Sequence, residues 1–242
     1  MIIKAIKTRI FRLKEGLPKF IEYYLPVIKE GSVLVVTSKI VSLAEGRVMD
    51  NVSPAAKRKI IKAESDFDLP TKHVYLTIKD GMVMANAGVD ESNADGKLIL
   101  LPRDSFKTAT RLRNYFKIKN KIKNLGVIIT DSRTMPLRAG ITGVAIGYAG
   151  FKGLKKYRGE LDIFGRPFKF SRVNIADSLA TAAVVCMGEG NERCPLAIIE
   201  KTPAVFAEKV NRQESIINVA DDMYGPIFKF KGKRRGLVKK KK

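Results

Sequence analysis

Three carboxylates in this sequence could bind a metal ion. Asp90, Asp131 and Glu189 each follow an apolar stretch and lie among glycines or hydroxyl-bearing residues. Mg²⁺ and Mn²⁺ take oxygen ligands from carboxylates, hydroxyls and substrate phosphates, so these side chains and the Ser132 hydroxyl form a candidate ligand set. Loop carboxylates also cap helices and form turns, which is the alternative interpretation of the same pattern.

Two apolar segments are expected to position the central part of this set. The β-branched run at residues 127–130 predicts a buried strand that ends at Asp131, where the strand meets solvent. Arg133 and Arg138 follow and offer guanidinium groups that can bind phosphate. The second segment, residues 141–148, is accompanied by glycines at positions 140, 143, 147 and 150, which would let another backbone or a ligand approach closely.

The remaining patterns predict a chain of mixed strands and helices. Strands are expected at residues 2–6, 32–38, 73–78, 82–86, 97–101 and 196–199, with residues 39–46 turning away from the second strand. Helices are expected at residues 17–24, 54–64, 105–116 and 174–187. Ser53 and Thr202 each precede a proline and are typical N-caps, so residues 203–210 are also expected to be helical, followed by a helix at 213–223.

Composition and charge limit the class of protein. The chain has 242 residues, is 45% hydrophobic and contains no apolar run long enough for a membrane helix or a signal peptide. We therefore expect a cytoplasmic protein without membrane contact, and its two cysteines fit a reducing compartment. The formal net charge of +22 would attract nucleotides and nucleic acids alike. The basic run at residues 107–123 is expected to be a solvated helix face, with a nucleic-acid-associated protein as the rival interpretation.

Common nucleotide and nucleophile motifs are missing from the sequence. There is no P-loop, and no Gly-x-Gly-x-x-Gly motif follows a strand, so a nucleotide would need another binding device. His73 is the single histidine, and we expect it to be structural because no Ser-His-Asp or Cys-His arrangement can be built around it.

Seven stretches carry a family resemblance: VLVVTSKIVSLAEGRV (33–48), NAGVDESN (86–93), GVIITDS (126–132), GVAIGYAGF (143–151), RGELDIFGRP (158–167), IADSLATAA (175–183) and MGEGNERCP (187–195). Together they resemble the coenzyme F420-0:γ-glutamyl ligase family and the related folate γ-glutamate ligases. They occur in the family's order with similar spacing, and several matched blocks are far more specific than any single one.

The resemblance implies an α+β fold of mixed sheets flanked by helices, assembled as an intertwined homodimer. It implies a GTP-dependent ligase that joins L-glutamate to coenzyme F420-0 or a folate through an acyl phosphate. Mg²⁺ or Mn²⁺ would be required, with a role for K⁺ left open. The catalytic region would span residues 1–225, with any division into two subdomains left open, and residues 226–242 would form a basic tail.

Carried over position by position, the resemblance makes Asp90, Asp131, Ser132 and Glu189 metal ligands, with Ser132 in place of a threonine. Lys39 and Arg138 could stabilise charge on the transferred phosphoryl group. Contacts to the guanine nucleotide would come from Ile10, Phe11, Arg12, Leu13, Ser38, Lys39, Asn93, Met187, Gly188, Glu189, Gly190 and Asn191.

The sequence departs from the family at two places. Residues 131–135 read Asp-Ser-Arg-Thr-Met where the family commonly has Asp-Thr-x-Gly-Arg, and Leu43 replaces a lysine. Arg133 or Lys39 could rebuild the lost triphosphate contacts, the acceptor could differ, or the chain could be an inactive protein with the ligase fold.

Overall fold

The computed structural model describes residues 1–50 and 52–227. The strands in chain order are β1 (Ile2–Ile6), β2 (Ser32–Thr37), β3 (Val48–Met49), β4 (Phe67–Pro70), β5 (Tyr75–Lys79), β6 (Met82–Ala85), β7 (Leu98–Ile99), β8 (Leu125–Thr134), β9 (Ile141–Ala149), β10 (Leu154–Lys156), β11 (Arg172–Asn174) and β12 (Leu196–Glu200). The helices are α1 (Leu17–Tyr24), α2 (Ser38–Ala44), α3 (Pro54–Glu64), α4 (Ser105–Asn120) and α5 (Ile175–Met187). This mixture confirms the expected α+β class.

The described chain forms two compact units. The first consists of Met1–Arg47 and Pro102–Ser215, and the second of Val48–Leu101 with the described residues from Ile216 onward. Most of the expected basic tail, residues 228–242, lies outside the described residues.

The first unit is built on a five-stranded mixed sheet with the order β1-β12-β2-β8-β9. β2 and β8 run parallel and pair Thr37 with Thr130, whereas the other three pairs are antiparallel. Parallel strands point toward the same edge of a sheet, so the residues that follow β2 lie beside the last part of β8. This arrangement places Ser38 next to Asp131.

Side chains on both faces of this sheet are buried. α5 covers the face that carries Val33 and Ile128, largely through small alanine side chains. Leu34 and Ile129 alternate with them along the same strands and are equally shielded from solvent. Continuous apolar runs are typical of strands covered on both faces, and each fully buried side chain of this kind contributes about 1.5–3 kcal/mol.

Two glycines of β9 admit neighbouring helices. A Cβ atom on Gly143 would lie 2.5 Å from a methyl carbon of Val184 in α5. A Cβ atom on Gly147 would lie 2.5 Å from the carbonyl carbon of Ser105, the first residue of α4. A bulge in β9 separates the two glycines and changes the direction in which the strand presents its residues. The close approach expected at these glycines is therefore made by helices of the protein itself.

β8 continues beyond the predicted strand end. The local pattern predicts an end at Asp131, but β8 extends to Thr134 because its antiparallel pairing with β9 continues to the pair Thr134 and Ile141. The prediction is wrong because hydrogen bonds to a partner strand outweigh the local change from apolar to polar residues. Ser132 and Arg133 are consequently strand residues instead of loop residues.

Residues 38–44 form helix α2 directly after β2, where the sequence predicts only a turn. The helix has seven residues and buries Ser38, Ile40, Val41 and Ser42. A segment of this length is too short for the spacing of its apolar residues to indicate a helix.

The two helices predicted near the C-terminus are not formed. Residues 203–210 and 213–223 consist of turns and irregular chain, apart from a β-bridge between Phe206 and Phe151. The Thr202 Oγ1 does accept a hydrogen bond from a following backbone amide, as an N-cap would. The prediction is wrong because the chain then hydrogen-bonds to the segment after β9, which competes with helix formation.

The second unit contains the antiparallel sheet β4-β5-β6, the strand pair β3 and β7, and helix α3. α3 begins as predicted, since Pro54 is its first residue and the Ser53 side chain accepts a hydrogen bond from the Ala56 amide at 3.2 Å. Ile61 of α3 packs into a small core with Val89, Leu98 and Leu100. Across residues 1–50 and 52–227, no helix combines the length and apolar composition needed to cross a bilayer.

Candidate functional site

Asp131 is held between a hydroxyl group and a guanidinium group. The Ser38 Oγ donates to Asp131 Oδ1 at 2.9 Å. The Arg133 Nη1 donates to Asp131 Oδ2 and, at 3.1 Å, to the Ser132 carbonyl oxygen. Arg133 is buried while Asp131 remains partly exposed. Both carboxylate oxygens of Asp131 therefore accept a hydrogen bond, and its charge is compensated.

Ser132 has a different partner. Its Oγ donates to Glu189 Oε1, and Glu189 is exposed in the loop that follows α5. Neighbouring residues of a strand direct their side chains to opposite faces, which explains why Asp131 and Ser132 contact separate groups. The first unit thus contains two carboxylate and hydroxyl pairs, Asp131 with Ser38 and Glu189 with Ser132.

The two pairs offer only oxygen donors, which suits a hard divalent cation such as Mg²⁺ or Mn²⁺. In the described part of each unit, no three His, Cys, Asp or Glu side chains are grouped in a way that could hold a metal ion. A cation at Asp131 Oδ2 would also lie close to the positively charged Arg133. The donor chemistry fits a divalent ion, and substrate oxygens or further ligands would have to complete its coordination.

The loop after α5 is shaped by Glu192, a residue that the sequence analysis missed. Its Oε2 accepts a hydrogen bond from the Gly190 amide at 2.8 Å, and its carboxylate lies where a Cβ atom of residue 188 would be. Gly188 also has a φ of 80°, a conformation that favours glycine. The glycines at positions 188 and 190 were the signal in the sequence that could have indicated this role, because the Glu192 carboxylate occupies the space left by their missing side chains.

Backbone hydrogen bonds are formed next to three segments that were predicted to contact a guanine nucleotide. The loop after α5 accepts them from the Thr8 amide at 2.9 Å and from the Thr37 amide at 3.0 Å. The Lys14 amide donates to the Leu43 carbonyl oxygen in α2, also at 2.9 Å. These bonds are made by residues that flank the predicted contacts: Thr8 and Lys14 on either side of residues 10–13, Thr37 before Ser38, and Arg193 and Pro195 after residues 187–191.

The side chains of residues 10–13 differ in burial. Phe11 is buried and packs edge to face on Phe20 of α1, with 4.8 Å between the ring centroids. Ile10, Arg12 and Leu13 are exposed. Phe11 therefore anchors the segment, and any nucleotide contact at that position would use its backbone.

The two cations predicted to stabilise the phosphoryl group occupy different settings. Lys39 is the second residue of α2 and follows Ser38, so it lies at the same edge of the sheet as Asp131. Arg138 lies at the exposed tip of the hairpin between β8 and β9, where its amide donates to the Met135 carbonyl oxygen at 3.2 Å. Lys39 is thus fixed by a helix and Arg138 is carried on a turn.

Asp90 and Asn93 belong to the second unit. The Asp90 carboxylate accepts hydrogen bonds from the Ser92 amide at 2.8 Å and from the Ser92 Oγ at 2.9 Å. Asn93 adopts a positive φ of 49°. Asp90 therefore stabilises a turn, which is the second role that its sequence context allows.

Acidic side chains neutralise part of the basic run on α4. Arg113, expected on a solvated face, is only 4% exposed and donates from Nε to the Leu125 carbonyl oxygen. Its other nitrogens form a bidentate pair with Glu208, which also contacts Lys117. These hydrogen bonds, first from Arg113 and then from Lys117, lower the pKa of Glu208 to about 2. Lys119 pairs with Glu22, so this face offers fewer free cations than its sequence indicates.

Comparison with known proteins assigns the chain to a family. It is 35% identical to the coenzyme F420:L-glutamate ligase of Methanococcus maripaludis (strain C7) over 77% of this chain and 82% of that protein. It is 36% identical to the protein of the same name from Methanopyrus kandleri over 71% and 75%, and 33% identical to that from Methanocaldococcus jannaschii over 76% and 81%. The sequence profile described as F420-0:gamma-glutamyl ligase matches residues 5–201. The chain therefore belongs to the F420-0:gamma-glutamyl ligase family.

Proposed function

We propose that this chain is a GTP-dependent γ-glutamyl ligase that joins L-glutamate to coenzyme F420-0, with a folate as the competing acceptor. The observation that carries the proposal is a set of backbone hydrogen bonds made by residues that flank the predicted nucleotide contacts. Thr8 and Thr37 donate to the loop after α5, which carries Glu189, and Lys14 donates to α2, whose first residue Ser38 holds Asp131. The names of the relatives support the F420-type acceptor.

The proposed reaction passes through an acyl phosphate, because a free carboxylate is a poor acyl donor. A carboxylate oxygen of the acceptor attacks the γ-phosphorus of GTP, the bond to the β-phosphate oxygen breaks, and GDP leaves. The amine of L-glutamate then attacks the acyl carbon, phosphate leaves, and the nitrogen loses a proton as the amide forms. Lys39 and Arg138 would stabilise the negative charge on the transferred group.

Asp131 on one face of β8, and Ser132 with Glu189 on the other face, are proposed as separate ligands for Mg²⁺ or Mn²⁺ ions, and Asp90 is proposed as a metal ligand on the family resemblance alone. Such an ion, when bound, neutralises charge on the triphosphate. Ser38 orients the Asp131 carboxylate through its 2.9 Å hydrogen bond, and Ser132 orients Glu189 in the same way. Both carboxylates are thereby fixed before a ligand arrives.

A mass measurement tests the proposed reaction. The protein is incubated with GTP, Mn²⁺ and L-glutamate, together with coenzyme F420-0 or a folate, with and without K⁺. We expect one acceptor to gain the mass of a glutamyl residue while GDP appears in equal amount. If neither acceptor gains mass and no GDP forms, the ligase proposal is rejected.

The nucleic-acid alternative is tested by thermal shift. A ligase is expected to be stabilised by GTP with Mn²⁺, whereas a nucleic-acid-binding protein would be stabilised by RNA in a way that weakens steeply with salt. The pairing of Lys117 with Glu208 and of Lys119 with Glu22 leaves less free positive charge on α4 for a nucleic acid, which favours the first outcome.

We also propose that the protein is a homodimer that uses the segment between β10 and β11. Four apolar side chains of this segment are 65–92% exposed, namely Leu161, Ile163, Phe164 and Phe170. So many exposed apolar groups on one segment are typical of a contact surface. Replacing Ile163 and Phe164 by aspartate should convert a dimer into a monomer in light scattering, whereas Val205→Asp, at an exposed position elsewhere, should not.

A further inference from the structure

Arg133 is a buried arginine, and two of its three guanidinium nitrogens have no hydrogen-bond partner among the described residues. Its side chain is 7% exposed, and its Nη1 donates to Asp131 Oδ2 and to the Ser132 carbonyl oxygen. Its Nε and Nη2 are buried and have no hydrogen-bond partner among the described residues. A buried donor without an acceptor destabilises the folded state, and a charged donor does so more strongly.

Arg113 of the same unit shows what a buried structural arginine looks like in this protein. It is 4% exposed, its Nε donates to the Leu125 carbonyl oxygen, and both terminal nitrogens donate to Glu208. Every nitrogen of Arg113 therefore has an acceptor. The two unmatched nitrogens of Arg133 need an explanation that packing alone does not supply.

The unmatched nitrogens lie on one edge of the guanidinium. The Nε–H and one Nη2–H bond point the same way, and this edge binds both oxygens of a carboxylate or phosphate in a bidentate manner. Asp131 and the Ser132 carbonyl oxygen hold the opposite corner and fix the plane of the group. The unit therefore contains a preoriented pair of donors directly beside Asp131.

We propose that the Nε and Nη2 edge of Arg133 binds an oxyanion of a substrate, either a phosphate or a carboxylate. This inference deepens the proposed ligase function, whose substrates all carry such groups, and rests on it. Both nitrogens are shielded from solvent, so the oxyanion enters when the covering side chains move aside.

Arg133→Lys separates this role from a purely structural one. A lysine can still pair with Asp131 through one ammonium group, but it has no two-donor edge. Arg111→Lys, at an exposed position on α4, is the matched control for the same chemical change. If Arg133 only balances the charge of Asp131, both variants should bind ligands like the wild type.

Calorimetric titrations with inorganic phosphate, L-glutamate and GTP with Mn²⁺ give the readout. We expect Arg133→Lys to raise the dissociation constant of at least one of these ligands tenfold or more, while Arg111→Lys leaves all three unchanged. If binding weakens only for phosphate and GTP, the group bound by Arg133 is a phosphate. If binding weakens only for L-glutamate, the bound group is a carboxylate. Wild-type dissociation constants for all three ligands in Arg133→Lys would overturn the proposal.

A measurement on the wild-type protein covers the case in which Arg133→Lys does not fold. With ¹⁵N-labelled arginine, we expect the Nε–H signal of Arg133 to shift on addition of the bound ligand. If no arginine Nε–H signal shifts with any of the three ligands, the proposal is overturned.

Binding and turnover can fail separately. If anion binding depends on Arg133 but no glutamyl adduct forms, the proposal that Arg133 binds an oxyanion stands and the proposed ligase function is rejected. If the adduct forms but Arg133→Lys leaves anion binding unchanged, the oxyanion proposal is rejected and the ligase function stands.

Discussion

Gly147→Ala tests whether the glycines of β9 exist to admit helices. The Cβ atom of an alanine would lie 2.5 Å from the Ser105 carbonyl carbon and 2.6 Å from the Phe106 amide nitrogen. Ordinary contact begins near 3.4 Å, so β9 and the first turn of α4 would have to separate by about 0.9 Å. The crowded atoms are backbone atoms that cannot rotate away. Since Gly147 is not among the glycines with positive φ, crowding alone sets the penalty.

We expect Gly147→Ala to lower the free energy of unfolding by about 1–3 kcal/mol, as other overpacked cores do. For a unit of this size the melting temperature should fall by about 3–10 °C, measured by calorimetry. Gly16→Ala is the matched control, because its Cβ would meet nothing within 4 Å and its φ is an ordinary −70°. A melting temperature of Gly147→Ala equal to that of the control would refute the packing argument. Weaker ligand binding at an unchanged melting temperature would show that Gly147 faces a ligand instead.

Two further predictions concern Glu208 and Asp131. Because hydrogen bonds from Arg113 and Lys117 lower the pKa of Glu208 from 4.5 to about 2, its contribution to stability is complete above pH 4.5 and is lost as the pH falls through about 2. The shift corresponds to about 3 kcal/mol of stability before screening. Because Glu208 is 71% exposed, solvent screens the interaction, and we expect Glu208→Gln to lower the free energy of unfolding by only about 1 kcal/mol at pH 7. Urea titrations should show this difference from the wild type shrinking between pH 4 and 2, and a difference that grows there would contradict the assignment. Asp131→Ala should lower glutamyl transfer by at least ~100-fold while the protein stays folded by circular dichroism, and near-normal turnover would remove Asp131 from the site.

Elements set by local signals could be predicted from the sequence. α3 begins at the predicted proline after the predicted Ser53 cap, and α1 spans the predicted residues, because caps and apolar spacing act within one helix. The end of β8 could not be predicted, because it depends on pairing with β9. The same limit explains the C-terminal segment, where the Thr202 signal is present but Phe206 bridges Phe151.

The candidate site was predictable in its residue types but not in its contacts. The sequence places Asp131 and Ser132 side by side, whereas the alternation along β8 gives them separate partners. It presents Arg133 as a loop cation, and burial of its guanidinium follows only from the extension of β8. Glu192 carries no signal of its own, since its role depends on the space left by Gly188.

The parallel pairing of β2 with β8 also has a consequence for how this protein folds. Ser38 and Asp131 are 93 residues apart, and they meet only after the intervening chain has closed into a loop. Closing a loop of this length carries an entropic penalty, though each doubling of length adds only about 0.6 kcal/mol. Chains in which β2 and β8 have not yet paired thus lack the hydrogen bond between Ser38 and Asp131. A phosphate or nucleotide that binds the folded protein should therefore slow unfolding. Its presence during refolding should not speed the early collapse of the chain.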